Sequence, residues 1–351
     1  MDQKNRDAKK LHDRCNVVDA HSDILPYDVW WQHRLDRKGV IEKDWVPRMK
    51  KGGIDTRVTV IFDEGEWHPE LALKNGLDQA VIWNKEFDES PSIARITKFD
   101  DIEKAKKDGK IGLILGMEGA EFLSNDINLL QVFYALGLRM LTLTHAFRNY
   151  VGDGAHFLPP QREGNVGGIT DFGVEVIEGC NKLGIVIDVS HINDPGFWDV
   201  MKFSKAPIVA SHSNCRALAN HPRNLTDDQI KAIIDNDGVI GMITCNALVD
   251  DEAENWDLEH YLNHVDHIVK LGGIRNLGLG FDMNAYIWRY FIYPKEEVEY
   301  QFPNLDSVKG LTKDEEVPNL TEGLMKRGYS DEEIELILGK NFLRVFKEVW
   351  K

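Results

Sequence analysis

Short apolar runs alternate with longer amphipathic and charged stretches along this chain. Within each run the apolar residues are continuous rather than alternating with polar ones, as is typical of strands buried on both faces of a parallel sheet. The runs cover residues 17–19, 57–62, 111–116, 140–144, 184–189, 207–210, 239–243 and 277–281. This pattern predicts eight parallel β-strands.

The stretches between the runs predict helices at about 71–88, 126–136, 171–183, 194–203, 226–236 and 258–271. Thr226 followed by two aspartates is typical of a helix N-terminus. Eight strands that alternate with helices predict an α/β fold of the (β/α)8 barrel type, one domain over residues 1–351, with extra C-terminal helices from about 312 to 349 packed outside the barrel. An open doubly wound sheet is the alternative, but no Gly-X-Gly-X-X-Gly follows the first run, so nucleotide binding gains no support.

Composition narrows the class of protein. The chain has 351 residues, 42% hydrophobic and 28% charged, which suits a globular enzyme with a sizeable core. Its net charge of -16 argues against nucleic acid and against an anionic membrane as partners. The 4 cysteines show no Cys-X-X-Cys spacing, and the polar start of the chain is followed by no signal-like or spanning apolar segment. We therefore expect a cytoplasmic protein in a reducing compartment.

Six of the eight runs are followed by an imidazole or a carboxylate. The residues are His21 and Asp23 after the first run, Glu118 after the third, His145 after the fourth, His191 after the fifth, His212 after the sixth and Asp282 after the eighth. In a (β/α)8 barrel the chemistry lies at the carboxyl ends of the strands. We therefore expect these side chains to meet at one rim of the barrel.

This set of residues predicts a metal centre. Histidine and carboxylate ligands without cysteine suit zinc, manganese, iron or cobalt, and the set is richer than one catalytic ion needs. A carboxylate such as Glu118 can bridge two ions, and two ions about 3.5–4 Å apart can activate a shared water and polarise a carbonyl group. The predicted reaction class is metal-assisted hydrolysis of an amide or an ester.

Two other groups of residues could carry chemistry. His260 and His264 have the i, i+4 spacing of a zinc pair on a helix, but Tyr261 stands where a His-Glu-X-X-His motif needs glutamate, so we interpret them as part of a helix face. Ser213 and Cys215 lie beside His212 and leave a serine or thiol nucleophile open, although no third orienting group is evident.

The chain resembles the renal (membrane) dipeptidases and their bacterial relatives over most of its length. The resemblance rests on motifs whose order and spacing both match. They are Asp19-Ala20-His21-Ser22-Asp23, residues 116–119, 141–145, 167–173, 187–191, 211–213 and 222–224, and the tail segments 326–330 and 339–346.

The resemblance implies a metal-dependent (β/α)8 barrel with two Zn²⁺ ions per chain, usually assembled as a homodimer. By resemblance, His21 and Asp23 hold one zinc, His191 and His212 hold the other, and Glu118 bridges them. The implied activity is hydrolysis of dipeptides, often with a D-residue at the C-terminal position, by a hydroxide shared between the ions.

The resemblance also implies roles in substrate binding and catalysis. His145 would bind the scissile carbonyl oxygen, and Arg223 would pair with the terminal carboxylate of the substrate. Asp282 would bind the free amino group and carry a proton to the departing amine.

The chain departs from the family pattern where the pocket wall is expected. Asp282-Met283-Asn284-Ala285 stands in place of the usual Asp-Phe-Asp-Gly, and Thr244-Cys245-Asn246 replaces an aromatic-rich stretch after the seventh run. An aromatic insertion at 285–310 adjoins both. These departures leave an amidase or N-acyl amino acid hydrolase as the alternative. The complete ligand set argues against a third possibility, a metal-binding protein without activity.

Overall fold

A computed structural model of the chain describes residues 7–63, 69–156, 167–283 and 306–351. All pairings between its strands are parallel. The strands are β1 (Val17–Asp19), β2 (Ile54–Ile61), β3 (Ile93–Ile96), β4 (Ile111–Glu118), β5 (Leu138–Thr142), β6 (Val186–Asp188), β7 (Val209–Ala210), β8 (Val239–Met242) and β9 (Leu277–Leu279).

Eight of these strands close into a barrel. β1 pairs with β2 on one side and with β9 on the other, and β2 pairs directly with β4, so the ring runs β1-β2-β4-β5-β6-β7-β8-β9. The predicted (β/α)8 barrel is therefore confirmed, and each predicted run overlaps one barrel strand. The doubly wound alternative is wrong because the sheet has no open ends within the ring.

β3 is an extra strand that the apolar pattern did not predict. It pairs with residues 111–114 of β4, whereas β5 pairs with residues 115–118 of that strand. β3 therefore pairs with the amino-terminal half of β4 and lies beside the ring rather than in it. Its two middle residues are partly exposed, so it lacks the continuous apolar run by which the other strands were found.

Each of the six predicted helices is present with bounds within two residues of its predicted span, whereas the helix Phe99–Lys107 was not predicted. The described helices span Ala8–Arg14, Trp30–Arg34, Val46–Gly52, Pro69–Glu89, Phe99–Lys107, Asn128–Leu136, Asp171–Leu183, Asp194–Phe203, Asp227–Asp235, Leu258–Lys270, Pro318–Lys326, Asp331–Glu335 and Asn341–Val349, with π-helical turns at Leu25–Val29, Ile41–Trp45 and Leu336–Lys340. Thr226 caps its helix as predicted, in a reciprocal capping box with Gln229. Across the part of the chain that the structure describes, no helix has the length and apolar composition that crossing a bilayer requires.

The helix Asn341–Val349 closes the lower end of the barrel, where the strands begin. Phe342 and Phe346 are fully buried in one apolar cluster with strand residues such as Val186 and Val239. Asn341 Nδ2 donates to the carbonyl oxygen of Leu277 at 2.7 Å, which ties the helix to the start of β9. The tail helices therefore pack outside the barrel wall, as predicted, and the final one also seals its base.

Candidate metal centre

Glu118 lies at the middle of a cluster of side chains at the carboxyl ends of the barrel strands, which we call the upper end of the barrel. It ends β4, two residues after Gly116 and four after the inward-facing Ile114, so its side chain points into the barrel. Its Oε1 atom lies 3.1 Å from His191 Nε2 and 3.5 Å from the Nε2 atoms of both His21 and His212. Three of the predicted histidines therefore converge on one carboxylate oxygen.

Two further carboxylates complete the cluster on the side of His21. Asp23 Oδ1 lies 3.8 Å and Asp282 Oδ1 lies 4.0 Å from His21 Nε2. Three sets of residues each bring ligand atoms within 4.8 Å of one another: His21 with Asp23 and Glu118, Glu118 with His191 and His212, and His21 with His212 and Asp282. Two of these sets share Glu118, which is the arrangement that a bridging carboxylate requires.

Several buried atoms of the cluster make no hydrogen bond to any described residue. They are both ring nitrogens of His21, Nε2 of His212 and Oδ1 of Asp23. A buried polar atom without a partner costs free energy, so such atoms rarely accumulate in one place. Imidazole nitrogens and carboxylate oxygens are ligands that zinc and related divalent cations accept. The residues present therefore fit the metal ions that the sequence predicted.

The charge of the cluster favours a cation as well. Burial disfavours a charge on His21, but Glu118, Asp23 and Asp282 outweigh burial and raise its pKa to about 10. Burial lowers the pKa of His212 well below its usual value, and the neighbouring cationic groups, His21 first among them, lower it further. The carboxylates around His21 thus attract positive charge, while His212 stays neutral and keeps its lone pair for a ligand bond.

A chain of hydrogen bonds below the cluster orients His212. Its Nδ1 atom lies 2.8 Å from Ser211 Oγ, and the Ser211 hydroxyl in turn donates to Asp188 Oδ2 at 2.5 Å. Because the serine proton goes to Asp188, its oxygen accepts from Nδ1–H of His212, and Nε2 is left unprotonated towards Glu118. Thr142 Oγ1 also donates to Asp188 at 2.5 Å, so a second hydroxyl group fixes the position of the Asp188 carboxylate.

Asp19 fixes the two strand ends that carry His21 and Asp282. Its Oδ1 atom accepts the backbone N–H groups of Phe281 at 3.0 Å and of His21 at 3.4 Å. Its Oδ2 atom accepts Nε–H of Arg57 at 2.9 Å. The end of β1 and the segment after β9 are therefore held together by one buried carboxylate.

His145 and Arg223 border the cluster. The ring of His145 lies 4.3 Å from that of His191, and burial lowers its pKa to about 4, so the imidazole is neutral near pH 7. Arg223 is 3% exposed, and its Nη2 atom donates to the carbonyl oxygen of His212 at 3.2 Å. Burial lowers the pKa of Arg223 to about 10, with Glu118 and Asp282 opposing the shift, so it remains a cation beside the carboxylates.

Two residues of the cluster have left-handed backbone conformations. His191 has φ +67° and Asp282 has φ +50°, values that residues other than glycine adopt infrequently. Each lies three residues after the end of a barrel strand, β6 for His191 and β9 for Asp282.

The other candidates in the sequence do not join the centre. His264 Nε2 lies 2.7 Å from the carbonyl oxygen of Val249, and its Nδ1 atom accepts the backbone N–H of Cys215 at 3.1 Å, so both ring nitrogens serve the fold. His260 Nδ1 lies 2.8 Å from Asp257 Oδ1. The interpretation of these histidines as a helix face is therefore confirmed. Burial raises the pKa of the Cys215 thiol, which disfavours a cysteine nucleophile.

Sequence reasoning missed the residues that support the site. Asp19, Asp188 and Ser211 each stand inside or beside a strand run, where a polar residue is unusual, and that was the signal available. Asn284 and most of the aromatic insertion at 285–310 lie outside the described residues. The chain returns at 306, where the backbone N–H of Val308 donates to the Thr244 carbonyl at 2.9 Å.

Comparison with known proteins decides the family. The model of the family "Membrane dipeptidase (Peptidase family M19)" matches residues 5–287 and 303–351. The chain belongs to the membrane dipeptidase family. It is accordingly a hydrolase of the metallo-dipeptidase class, and the resemblance seen in the sequence motifs is confirmed.

Three relatives illustrate the range of the similarity. The chain is 30% identical over 252 residues to the dipeptidase tcpJ of Claviceps purpurea (strain 20.1), covering 72% of this chain and 54% of that protein, so it spans about half the length of that relative. It is similar to the crystal structure of the dipeptidase AC, a metallopeptidase of family M19, with 25% identity, a TM-score of 0.82 and coverage of 96% and 99% of the two chains. A metallopeptidase from Rhodobacter sphaeroides, solved with a phosphinate mimic of the dipeptide L-Ala-D-Ala, shares the fold at 23% identity and a TM-score of 0.82, again over 96% and 99% of the chains.

Proposed function

We propose that this metallo-dipeptidase uses two metal ions, with zinc as the first choice and manganese, iron or cobalt as the alternatives that its ligands accept. His21 and Asp23 would hold one ion, His191 and His212 the other, and Glu118 would lie between them. The supporting observation is that one Glu118 oxygen lies 3.1–3.5 Å from three imidazole nitrogens. The bound ions would lower the pKa of a bound water molecule and polarise the carbonyl group of the substrate.

The residues around the cluster would bind and orient the dipeptide. Arg223 would bind its terminal carboxylate, since a buried guanidinium matches a carboxylate in geometry and charge. Asp282 would bind the free amino group and pass a proton to the departing amine. His145, neutral because of its burial, would donate one N–H to the scissile carbonyl oxygen. Charge recognition at both ends favours substrates whose two termini are free.

A C-terminal D-residue belongs to the same proposal. The Rhodobacter sphaeroides relative was solved with a mimic of L-Ala-D-Ala, a dipeptide of that stereochemistry. In this chain the residues after β8 and β9 depart from the family pattern, so the stereochemical preference has to be measured directly. We further propose a homodimer, tested by light scattering of the purified protein, and a cytoplasmic location, tested by cell fractionation.

The test is amino acid release from a panel of L-L, L-D and D-L dipeptides and their N-acetylated forms, before and after chelation and with zinc restored. We expect zinc-dependent release from the free dipeptides, with N-acetylated forms at least about 100-fold slower because the contact to Asp282 is lost. Faster release from the acetylated forms would favour the amidase or N-acyl amino acid hydrolase alternative. Release that survives complete metal removal would rule out the metal mechanism.

A further inference from the structure

The side chain of Arg216 binds the backbone on both sides of Arg223. Its Nε atom donates to the carbonyl oxygen of Asn224 at 2.8 Å, and its Nη2 atom donates to the carbonyl oxygen of Pro222 at 3.0 Å. One guanidinium therefore holds the carbonyl groups of the two residues that flank Arg223.

The same guanidinium is anchored on the segment that carries His191. Its Nη1 and Nη2 atoms donate to the two carboxylate oxygens of Asp194 at 2.7 and 2.8 Å. Asp194 is the first residue of the helix Asp194–Phe203 and follows His191 by three positions. Gln229 Nε2 donates to Asp194 at 3.0 Å and steadies the carboxylate from another helix. Arg216 thus connects the loop after β7 to the loop after β6.

The loop that carries Arg223 needs such a support. Residues 213–226 contain no helix or strand, and the loop is instead held by a short ladder of backbone hydrogen bonds. Arg216 N donates to the Leu225 carbonyl at 2.8 Å, and Leu225 N donates to the Asn214 carbonyl at 2.9 Å. Arg216 therefore binds residues 222–225 of the loop through both its backbone N–H and its side chain.

We propose that Arg216 is a positioning residue for Arg223, which it holds in place relative to the metal centre for binding of the substrate's terminal carboxylate. The inference deepens the proposed function and rests on the carboxylate-binding role of Arg223. A carboxylate bound in a fixed fork tolerates little displacement of the guanidinium, so a displaced Arg223 would bind the carboxylate more weakly. A long side chain also loses less freedom on binding substrate when its own backbone is already fixed.

Four proteins test the inference: the unaltered enzyme, Arg216→Gln, Arg223→Gln and the double variant. Each is loaded with zinc and assayed for kcat and KM on one dipeptide, and its metal content and thermal midpoint are measured alongside. Arg216→Gln should raise KM about 10-fold, leave kcat within about twofold and leave the metal content unchanged. In the Arg223→Gln background the same change should have no further effect on kcat/KM, because the group through which it acts is gone.

Arg327→Gln is the matched control. Its side chain is 18% exposed against 21% for Arg216, and it too binds carboxylates, Glu259 and Asp266, but on a helix that carries no candidate site residue. We expect this variant to keep the KM of the unaltered enzyme. Arg216→Lys, which keeps the charge opposite Asp194 but lacks the planar fork, should raise KM by less than Arg216→Gln.

Each remaining outcome has a distinct meaning. Effects of Arg216→Gln and Arg223→Gln that multiply in the double variant would overturn the inference, as would loss of metal in Arg216→Gln, which would place its action on the His191 side. An unchanged KM in Arg216→Gln with a raised KM in Arg223→Gln would overturn the inference while keeping the role of Arg223. An unchanged KM in Arg223→Gln would instead remove the carboxylate-binding role from the proposed function.

Discussion

Two clusters of histidine and carboxylate groups occur in the described part of this protein, and only one has the character of a metal site. The mouth cluster, at the carboxyl ends of the barrel strands, consists of His21, Asp23, Glu118, His191, His212 and Asp282. The helix cluster consists of His33, Glu86 and Glu89 in the outer layer. Both bring three ligand atoms within 4.8 Å of one another.

The carboxylate oxygens of the helix cluster already accept hydrogen bonds from the protein backbone. Glu86 accepts the backbone N–H groups of Val40 at 3.1 Å and Ile41 at 2.8 Å, and its Oε1 atom lies 2.5 Å from His33 Nε2. Glu89 accepts the backbone N–H of Gly39 at 2.7 Å. These N–H groups lie where a helical segment begins and lacks internal partners, so the carboxylates act as its cap.

The mouth cluster leaves such atoms unsatisfied by the protein. Both ring nitrogens of His21, Nε2 of His212 and Oδ1 of Asp23 are buried without a hydrogen bond to a described residue. Residue type and proximity are therefore shared by the two clusters, although His33 and Glu89 are only partly buried. The decisive difference lies in which atoms the fold already uses. Counting those atoms separates a metal site from a structural one.

Replacement of Glu118 should have the largest effect. Glu118→Gln keeps the volume but removes the charge that faces three imidazoles, so we expect kcat/KM to fall at least about 100-fold and the zinc content to fall from two ions per chain to one or none. Metal analysis after dialysis, together with the dipeptide assay, checks this. Two tightly held zinc ions in the variant would contradict the bridging position of Glu118.

Glu86→Gln is the matching change in the helix cluster, and it should act on stability instead. The variant loses charge-assisted hydrogen bonds to Val40, Ile41 and His33, so the free energy of unfolding should fall by about 2–3 kcal/mol. Urea unfolding measures this, and zinc content per folded molecule should not change. A loss of zinc in Glu86→Gln would break the distinction between the two clusters.

Ser211→Ala should give a smaller effect that is confined to the mouth cluster. Removal of the hydroxyl leaves Nδ1 of His212 without its partner, so zinc affinity should fall about 10-fold in competition with a chelator. Ser213→Ala is the control, because Oγ of Ser213 is buried next to the same histidine and makes no hydrogen bond to a described residue. Equal affinities in the two variants would show that the Ser211 hydroxyl does not orient His212.

The sequence was sufficient to predict the barrel and the residues at its mouth. Strands buried on both faces give continuous apolar runs, and the barrel places whatever follows each run at one rim, so His21, Glu118, His191 and His212 could be grouped without a structure. β3 could not be found in this way because only its two end residues are buried, so it contains no such run. The irregular helices before residue 53 include π-helical turns, which shift the apolar period.

The supporting residues of the site were out of reach for a different reason. Asp19, Asp188 and Arg216 act through partners that are distant in sequence or that are backbone atoms, such as Phe281 N for Asp19 and the Asn224 carbonyl for Arg216. Periodicity and motif spacing predict the helix or strand to which a residue belongs, but they do not predict contacts with distant residues or with backbone atoms. Arg223 likewise was chosen by resemblance alone, since nothing in its local sequence distinguishes it from a surface arginine.

The helix Asn341–Val349 also sets an order of events during synthesis. β1 lies at the start of the barrel and its neighbour β9 is made some 260 residues later, while the phenylalanines that fill the base of the ring follow later still. A nascent chain that has just completed β9 still exposes the apolar base around Val186 and Val239 to solvent and to chaperones. The base of the ring is covered only after Phe342 and Phe346 have been made, so burial of this apolar surface depends on a helix that follows the last barrel strand in the chain.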